Sequence, residues 1–426
     1  MCSSDLFDES NGLPQVPYRF ITPFNNAPHV VGNDSIYRAD GTNWGVIAEL
    51  SFENLSSVQG NDENLVIVAE RQVSTISRDY QATTLSNRSI TNPVDAIIAN
   101  GLFYIADEDS GLLAGSEQGF ESIMPSGPNT NSIHRFKFFN NALYALPGGF
   151  DEAKLPLGNT SGFNQFEHSV WRATTDLGLM GNFIDVTDAA FDTQSSVTYY
   201  ATFGNGVLEV DQNNNVTAYN SSNSTLRQVE LDENTTNTPI TCITHSSEGL
   251  WVINYGAPTP LHLLANNEWQ FFPLPTSRIV DILNTTNYLW MIVDRTVGGG
   301  ILVFDKSSGA TRILTEQSGN GGLPSNSVLS IDVDLDGRLW VGTARGVAII
   351  YSFGNIIEGP VDAIIPIFEN RLLLTDEVIT SMKVDPGNRK WMGTENGVWL
   401  FDEEADRQLQ NFTVANSPLP SNEILS

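Results

Sequence analysis

The sequence predicts an all-β protein, a β-propeller with four-stranded blades, from one repeated block and its spacing. The block reads LPSNSVLSIDVDLDGRLWVGTARGVAII from Leu323 to Ile350 and LLTDEVITSMKVDPGNRKWMGTENGVWLF from Leu373 to Phe401. Trp340 and Trp391 lie 51 residues apart, and a glycine follows each tryptophan six residues later. A period of 40–50 residues made of short strands and turns is typical of propeller blades.

Fainter copies of the block run upstream, with another aromatic residue in place of the tryptophan on the second strand. The gaps between successive aromatics, from Tyr104 to Trp391, are 40, 56, 51, 39, 50 and 51 residues. The upstream aromatics are Tyr104, Tyr144, Tyr200, Trp251 and Trp290. A further unit is centred near Val66, and a strand pair around Tyr37 and Trp44 precedes it. The spacing therefore predicts about nine units.

The turn residues between the strands support this interpretation. Asp336-Gly337, Asn396-Gly397 and Gly204-Asn205-Gly206 tolerate the positive φ angles that tight hairpins need. An aromatic side chain on the second strand offers a large apolar area to bury between neighbouring blades. No long stretch has the 3.6-residue apolar period of an amphipathic helix, so we expect very little helix.

The composition bounds the class of protein. The chain has 426 residues with 21 basic and 50 acidic side chains, a net charge of −29. Such a negative field disfavours nucleic acid as a ligand. No apolar run approaches the ~18–20 residues needed to span a bilayer. Cys2 and Cys242 are the two cysteines, which excludes a disulfide framework.

Both ends of the sequence suggest a fragment of a longer protein. The opening residues 1–6, MCSSDL, resemble translated sequencing adapter and are set aside as an artefact. The closing residues LPSNEILS, from Leu419, restart the phrase LPSNSVLS that opens an earlier repeat at Leu323. We therefore expect that a signal peptide has been lost with the natural N-terminus and that the chain stops inside a repeat.

The stretch from Leu146 to Gly162 is the densest insertion of proline, glycine and polar residues. Because nine units exceed the 4–8 blades of a typical propeller, parts of two propellers are expected. The predicted domains are 7–150, the last blades of an incomplete first propeller, then a linker or long loop at 151–165, and a C-terminally truncated second propeller at 166–426.

The repeats resemble the two-component-regulator type of propeller repeat found in Bacteroidota. More narrowly, the ALPGG stretch, YYATFGNGVLEVDQNNNVTAYNSSNSTL, KWMGTENGVWLFD and FTVANSPLPSNEI are similar to segments of PorZ-like propellers. These are cell-surface proteins of the type IX secretion system. The resemblance covers most of residues 95–426. It implies two seven-bladed propellers followed by a small β-sandwich.

The resemblance also implies a function. The chain is expected to be a non-enzymatic scaffold of the type IX attachment complex, exported and associated with the outer membrane or cell surface. That complex removes sorting domains from secreted cargo and anchors the cargo to anionic lipopolysaccharide. The expected partners are other subunits of the complex and anionic lipopolysaccharide. No cofactor is expected.

A binder of anionic sugar needs a local basic patch in so acidic a chain. The nearest basic cluster in the recognisable repeats is Arg338, Arg345, Arg371, Arg389 and Lys390, and we expect some of these side chains to share one face. They are the candidate ligand-binding residues.

The sequence predicts no catalytic and no metal site. The DVDLDG segment from Asp332 matches the opening of an EF-hand loop, but Thr343 stands where the loop needs a bidentate Glu. A hairpin turn is therefore predicted there. The five histidines show no ligand spacing, and no G-x-S-x-G motif occurs.

One alternative function remains open at this stage. The chain could be the periplasmic, oligosaccharide-sensing propeller of a hybrid two-component system. Such a chain continues into a β-sandwich, a transmembrane helix and a kinase, whereas a PorZ-like chain ends in a short sandwich. The coding sequence beyond Ser426 distinguishes the two.

Overall fold

A computed structural model describes residues 9–14, 18–32, 35–49, 54–69, 71–123, 127–174, 183–232 and 235–425. Residues 1–6, the expected artefact, lie outside this part. The helices among the described residues are two single 3-10 turns, Glu9–Asn11 and Arg295–Val297. The chain divides into two compact units, Met1–Gly127 and Pro128–Ser426.

The first unit contains three four-stranded antiparallel sheets, numbered 1 to 3 in chain order. Sheet 1 consists of β1 (Phe20–Phe24), β2 (Ala27–Val31), β3 (Ser35–Asp40) and β4 (Asn43–Glu49). Sheet 2 consists of β5 (Leu55–Gly60), β6 (Asn64–Ala69), β7 (Gln72–Ser77) and β8 (Ala82–Leu85). Sheet 3 consists of β9 (Pro93–Ala99), β10 (Leu102–Asp107), β11 (Gly111–Ser116) and β12 (Gly119–Ile123).

The second unit contains sheets 4 to 9. Sheet 4 is β13 (Arg135–Phe139), β14 (Ala142–Leu146), β15 (Phe163–Glu167) and β16 (Val170–Thr174), and sheet 5 is β17 (Val186–Asp192), β18 (Val197–Thr202), β19 (Gly206–Val210) and β20 (Val216–Tyr219). After the ribbon β21 (Val229–Asp232) and β22 (Thr235–Asn237), sheet 6 is β23 (Ile240–Ser246), β24 (Gly249–Asn254), β25 (Leu261–Ala265) and β26 (Glu268–Phe272).

Sheet 7 is β27 (Ile279–Asn284), β28 (Tyr288–Val293), β29 (Ile301–Asp305) and β30 (Thr311–Leu314). Sheet 8 has three strands, β32 (Val328–Val333), β33 (Leu339–Thr343) and β34 (Gly346–Ile350), and sheet 9 has four, β38 (Ile379–Val384), β39 (Lys390–Thr394), β40 (Gly397–Phe401) and β41 (Gln408–Phe412). Two small ribbons lie between them, β31 (Asn320–Gly321) with β35 (Val361–Asp362) in parallel, and β36 (Ile367–Phe368) with β37 (Arg371–Leu372).

The predicted β-propeller fold with four-stranded blades is confirmed. Every aromatic residue in the predicted series lies on the second strand of its sheet; these are Tyr104, Tyr144, Tyr200, Trp251, Trp290, Trp340 and Trp391. The turn glycines Gly206, Gly337 and Gly397 have φ angles of 99°, 79° and 116°, as the tight turns require. The predicted strand pair around Tyr37 and Trp44 forms the second half of a complete sheet, sheet 1.

Apolar side chains fill the space between consecutive sheets of the second unit. Trp290 on β28 and Val341 on β33 are fully buried in a single cluster between sheets 7 and 8. A corresponding cluster between sheets 8 and 9 contains Trp340, Ile379 and Met392. Sheet 8 therefore buries one face against sheet 7 and the other against sheet 9, which is what a blade needs to be stable.

Polar bonds between the first strands repeat from sheet to sheet. In β17 the Thr187 hydroxyl donates to the carbonyl of Ile240 in the next sheet at 2.7 Å, and in β23 the Thr241 hydroxyl donates to the carbonyl of Ile279 at 2.9 Å. Both threonines lie at a bulge in their strand. These bonds fix the position of each sheet relative to the next.

The first strands of the second unit line a channel. Arg135 on β13 contacts Asp188 on β17, the adjacent sheet, at 3.1 Å, and also Asp281 on β27 at 2.8 Å. Sheet 7 is three sheets further along the chain than sheet 4. Because one guanidinium reaches both carboxylates, the series of sheets must curve around a common centre.

The insertion that suggested a domain boundary lies within sheet 4. Strands β14 and β15 pair with each other on either side of residues 147–162, so this segment is a long loop. The compact units divide between Gly127 and Pro128, ahead of the predicted domain limits 7–150 and 166–426. Proline and glycine show where a chain leaves a strand, but not whether the flanking strands pair. Two seven-bladed propellers remain a prediction.

Candidate functional site

One end of the channel in the second unit carries a cluster of charged side chains. The strands β13, β17 and β27 begin at this end, and the loops that join the second and third strands of their sheets lie there too. We call it the channel mouth and define it by Phe150, Lys154, Arg278, Asp294 and Arg295. It is the candidate functional site.

The loop 147–162 reaches the channel mouth because a buried carboxylate holds its second half. Asp185 accepts hydrogen bonds from the backbone N–H groups of Gly158 and Asn159, each at 2.9 Å. Burial raises the pKa of Asp185, although these backbone donors oppose the shift. The Asn159 side chain in turn donates to the carbonyl of Pro147 at 2.7 Å. The loop is therefore closed at both of its ends.

The loop places an aromatic ring and a cation over the mouth. The Phe150 ring lies 4.8 Å from the ring of Phe203, which follows β18, and 5.2 Å from that of His134. The Lys154 ammonium lies 4.7 Å from the centre of the Phe150 ring, a cation–π contact. Lys154 Nζ also lies 4.0 Å from Asp294 Oδ2, so the loop of sheet 4 extends to sheet 7.

Asp294 is the centre of a short hydrogen-bond chain at the mouth. The Tyr255 hydroxyl donates to Asp294 Oδ2 at 2.9 Å, and Arg278 Nη1 donates to the Tyr255 oxygen at 3.2 Å. Burial raises the pKa of Tyr255 to about 12, helped by the carboxylate it faces. Burial opposes ionisation of Asp294, but bonds from Thr296, Tyr255 and the charge of Lys154 leave its pKa below the usual value.

The mouth carries three cations around this one buried carboxylate. Arg295 is exposed and lies 3.9 Å from Glu152, whose side chain is 94% exposed. The ion pair between them is therefore weak. Lys154 and Arg278 complete the set. Against these three cations stand the carboxylates of Asp294 and Glu152, and in a chain with a net charge of −29 a cluster with this small positive excess is a place where an anionic group can bind.

Behind the mouth the charges are paired within the protein. Asp188 is fully buried and forms salt bridges with Arg135 at 3.1 Å and Lys137 at 3.0 Å. It also accepts a hydrogen bond from the backbone N–H of Ile243 at 3.0 Å. Burial lowers the pKa of the neighbouring His134 to about 4, with a further contribution from the charge of Arg135, so His134 is neutral at pH 7. This inner cluster therefore connects sheets 4, 5 and 6 to one another.

Three of the predicted basic residues lie at the opposite end of the sheets and are paired. Arg338, in the β32–β33 turn, contacts Asp334 at 2.6 Å, Asp336 at 2.7 Å and Glu404 at 2.6 Å. Arg389, in the corresponding turn of sheet 9, contacts Asp385 at 2.7 Å. These turns correspond, so the two side chains are presented at the same end of neighbouring sheets.

Lys390 is the most enclosed of the predicted basic residues. Its side chain is fully buried, and its ammonium donates to the carbonyl of Asn388 at 2.7 Å and lies 3.5 Å from Asp334. It also lies 4.8 Å from the centre of the Trp340 ring. Burial lowers the pKa of Lys390, and Asp334 opposes that shift. Its position indicates a structural contact between sheets 8 and 9.

The remaining two predicted residues are exposed and lie elsewhere. Arg345 occupies the β33–β34 turn, at the other end of β33 from Arg338. Arg371 lies on β37, and its guanidinium is 3.2 Å from the exposed carboxylate of Asp376. The structure therefore does not bring all five predicted residues to one face. Their role as ligand-binding residues remains a prediction.

The DVDLDG segment forms the predicted turn and anchors the repeated tryptophan. Asp334 Oδ2 accepts the indole N–H of Trp340 at 2.8 Å, and Asp385 accepts that of Trp391 at 3.0 Å in the second copy. This bond was not predicted, although the Asp-x5-Trp spacing that both copies share is a signal for it. Asp336, Glu403 and Glu404 group nearby, where Arg338 supplies the positive charge.

A cavity of about 850 Å³ runs from the channel mouth and opens between sheets 4 and 9. Phe136 and Phe138 on β13 line one side and are 46% and 72% exposed. Trp391 on β39 and Val398 on β40 line the other side and are half-buried. These are the faces that other sheets of the unit cover with a neighbour.

The sheets, their turn chemistry and their packing around a channel define a β-propeller. A family model described as two component regulator propeller matches residues 322–345, the first copy of the block. The fold is that of PorZ, an essential bacterial surface component of the type IX secretion system of Porphyromonas gingivalis. The two chains superpose with a TM-score of 0.66 at 21% identity, over 96% of this chain and 59% of PorZ.

This chain therefore spans about three fifths of the length of PorZ. The extracellular domain of a putative hybrid two component system from B. thetaiotaomicron matches 91% of this chain and 52% of its own, with a TM-score of 0.47 and 15% identity. No protein of curated function matches the sequence. In the described part of the chain, no helix is long and apolar enough to cross a membrane.

Proposed function

We propose that this protein is a non-enzymatic propeller scaffold of the type IX attachment complex, located at the cell surface. The observation that carries the proposal is the likeness to PorZ along 96% of the chain. The paired charges inside the channel support a structural interior, because Arg135, Asp188 and Asp281 satisfy one another. The loops at the channel mouth are then the surfaces available to partners.

Deletion of the gene in its own bacterium tests the scaffold function. Cargo proteins are expected to accumulate with their sorting domains uncleaved and to be lost from the cell surface, and the natural full-length protein should restore both. Normal cleavage and surface attachment in the deletion strain would contradict the proposal.

We propose further that the channel mouth binds an anionic group of lipopolysaccharide. Lys154, Arg278 and Arg295 supply the positive charge, while Asp294 keeps Lys154 in place. The neutralising triple variant Lys154→Gln, Arg278→Gln, Arg295→Gln should reduce binding of purified anionic lipopolysaccharide at least tenfold. A matched control is Arg407→Gln, an exposed cation 3.5 Å from Asp402 on sheet 9.

A second set of variants separates this site from the residues predicted by sequence. Arg345→Gln, Arg371→Gln and Arg389→Gln together remove the three exposed members of that set without breaking a fully buried ion pair. If this variant loses lipopolysaccharide binding and the channel-mouth variant does not, the ligand binds at the sequence-predicted residues. If both variants bind lipopolysaccharide as the unchanged protein does, neither the channel mouth nor these exposed residues bind it.

We also infer that the opening between sheets 4 and 9 accommodates one further sheet, which would bring the second unit to seven. Ile424 already sits against sheet 9, since its N–H donates to the Thr394 carbonyl at 2.9 Å and its carbonyl accepts the Thr380 hydroxyl at 2.6 Å. The latter bond repeats the one from Thr187 to Ile240. A longer chain that includes the next repeat should shield Trp391 from acrylamide quenching; unchanged quenching would contradict this.

The second candidate is the oligosaccharide-sensing propeller of a hybrid two-component system. The match of residues 322–345 to the two component regulator propeller favours it. On this function the protein would be followed by a membrane span and a kinase, and its deletion would change transcription of sugar-utilisation genes and leave cargo cleavage intact. The deletion experiment therefore distinguishes both candidates.

A further inference from the structure

Sheet 8 differs from the other sheets of the second unit at its outer edge. Sheets 4 to 7 and 9 each have four strands, whereas sheet 8 has three. In place of a fourth strand, the chain after β34 makes an excursion over residues 351–374, which we call the rim segment. Ile364 alone pairs with the edge of β34, through two backbone bonds to Ile349, each of 2.8 Å.

The rim segment is firmly held to the sheets beneath it. Ile356 and Leu373 are fully buried, and the ring of Phe353 packs 4.7 Å from that of Trp290 on sheet 7. The Arg312 guanidinium donates to the carbonyl of Ile356 at 3.0 Å and to that of Gly359 at 2.5 Å. The rim segment is therefore packed against the sheets as part of the folded domain.

This held segment nevertheless presents large apolar side chains to solvent. Ile367 and Leu372 are direct partners across the β36–β37 hairpin and are 65% and 44% exposed. Ile364 and Tyr351 are 56% and 49% exposed. Single exposed apolar residues are ordinary, but Ile367 and Leu372 are adjacent on a hairpin of a segment that is held by buried side chains, and such a pair is of the kind that contacts other proteins.

The charges of the rim segment indicate which partner fits. Its side chains that are charged at pH 7 are the carboxylates of Glu358, Asp362 and Glu369, and the Arg371 cation, which pairs with Asp376 at 3.2 Å. A second copy of this chain, with its net charge of −29, would be repelled. A polypeptide with aliphatic or aromatic side chains flanked by Lys and Arg is complementary.

We propose that the rim segment is a docking surface for a protein partner that presents an apolar patch ringed by basic residues. This inference rests on the proposed scaffold function only for the identity of the partner. The surface itself follows from the exposed side chains of sheet 8 and its hairpin.

The test uses the full-length protein, tagged and expressed in its own bacterium, with co-purifying proteins identified and quantified by mass spectrometry. The variant Ile367→Ser with Leu372→Ser should reduce the co-purifying amount of one identified partner at least tenfold. The control Val46→Ser with Phe271→Ser changes two exposed apolar residues elsewhere, at 53% and 52% exposure, and should leave the recovery of every partner unchanged. Unchanged melting of both variants excludes misfolding.

A second variant tests the charge complementarity. Glu358→Gln with Glu369→Gln should weaken the complex with the identified partner severalfold and reduce its dependence on salt. An identical set of partners for the Ser variant and the unchanged protein would overturn the proposal, as would a lost partner that has no basic apolar surface. If the surface binds a partner outside the secretion system, the docking surface stands and the proposed function falls.

Discussion

The two copies of the repeated block occupy adjacent sheets, yet the same residues have different surroundings. Trp340 on sheet 8 is fully buried against sheet 9, while Trp391 on sheet 9 is half-buried at the cavity. Val347 is fully buried, while its counterpart Val398 is not. The copies share their sequence pattern, their anchoring aspartate and the pairing of their first three strands. They differ in whether another sheet covers them.

The comparison shows which features belong to one sheet and which need two. The bond from the indole to Asp334 or Asp385 forms in both copies, because donor and acceptor lie in one sheet. Burial of the ring requires the neighbour. We therefore expect equivalent substitutions to cost more in the first copy than in the second, by amounts that depend on the packing.

Removing the tryptophans should give the largest difference. Trp340→Ala leaves a cavity between sheets 8 and 9 and should lower the free energy of unfolding by about 3–5 kcal/mol. Trp391→Ala removes a ring that is already partly in water and should cost less than half as much. Urea unfolding followed by circular dichroism measures both, and equal losses would contradict the comparison.

Removing the turn arginines should give the next largest difference. Arg338 is 9% exposed, and its loss removes the nearer of the two cations beside the buried Asp334, which should cost about 3 kcal/mol, the lower end for breaking a buried ion pair. Arg389 is 48% exposed, so its replacement by Ala should cost well under 1 kcal/mol. The same unfolding experiment tests this. A large loss for Arg389→Ala alone would show that exposure does not govern the difference.

Adding a methyl group at the repeated glycines probes the contact with the next sheet. A Cβ at Gly342 would lie 2.7 Å from Ile379 Cγ2, and a Cβ at Gly393 would lie 2.6 Å from Ile424 Cγ2. Ile379 is fully buried and cannot move aside, so Gly342→Ala should cost about 2 kcal/mol. Ile424 is half-buried and can shift, so Gly393→Ala should cost less. Thermal melting of both variants measures the two losses of stability.

The pH dependence of stability should give the smallest effect. Burial opposes ionisation of Asp334, but the bonds from Trp340 and Arg338 set its pKa below the usual value. The stabilisation is therefore complete above about pH 4, the unfolded value, and is lost as pH falls through the folded pKa. Asp334→Asn should be less stable at pH 7 and should lose less stability than the unchanged protein on acidification.

The fold could be predicted because its signals are local to each sheet. The aromatic on the second strand and the glycine six residues later recur although the loops vary in length. Tyr200 and Trp290 lie on second strands, as expected. Sheet 1 was predicted only in part, because β1 and β2 turn on two asparagines, Asn25 and Asn26, with φ angles of 47° and 59° and no glycine.

The candidate site was harder to predict because it depends on contacts between distant segments. The basic residues near the repeats were visible in the sequence, but the carboxylates that pair with Arg338 include Glu404, which lies far along the chain. The channel mouth joins Lys154 of one loop to Asp294 of another sheet. Spacing along the sequence carries no signal for such a contact.

Hydrogen exchange, followed by mass spectrometry on the full chain, tests the central claim that a neighbouring sheet protects each blade. Peptides covering β33, Leu339–Thr343, are compared with those covering β39, Lys390–Thr394. We expect β33 to exchange only by global unfolding of the second unit, and β39 to exchange faster through local opening at the cavity. Equal protection of the two strands, or faster exchange of β33, would contradict it.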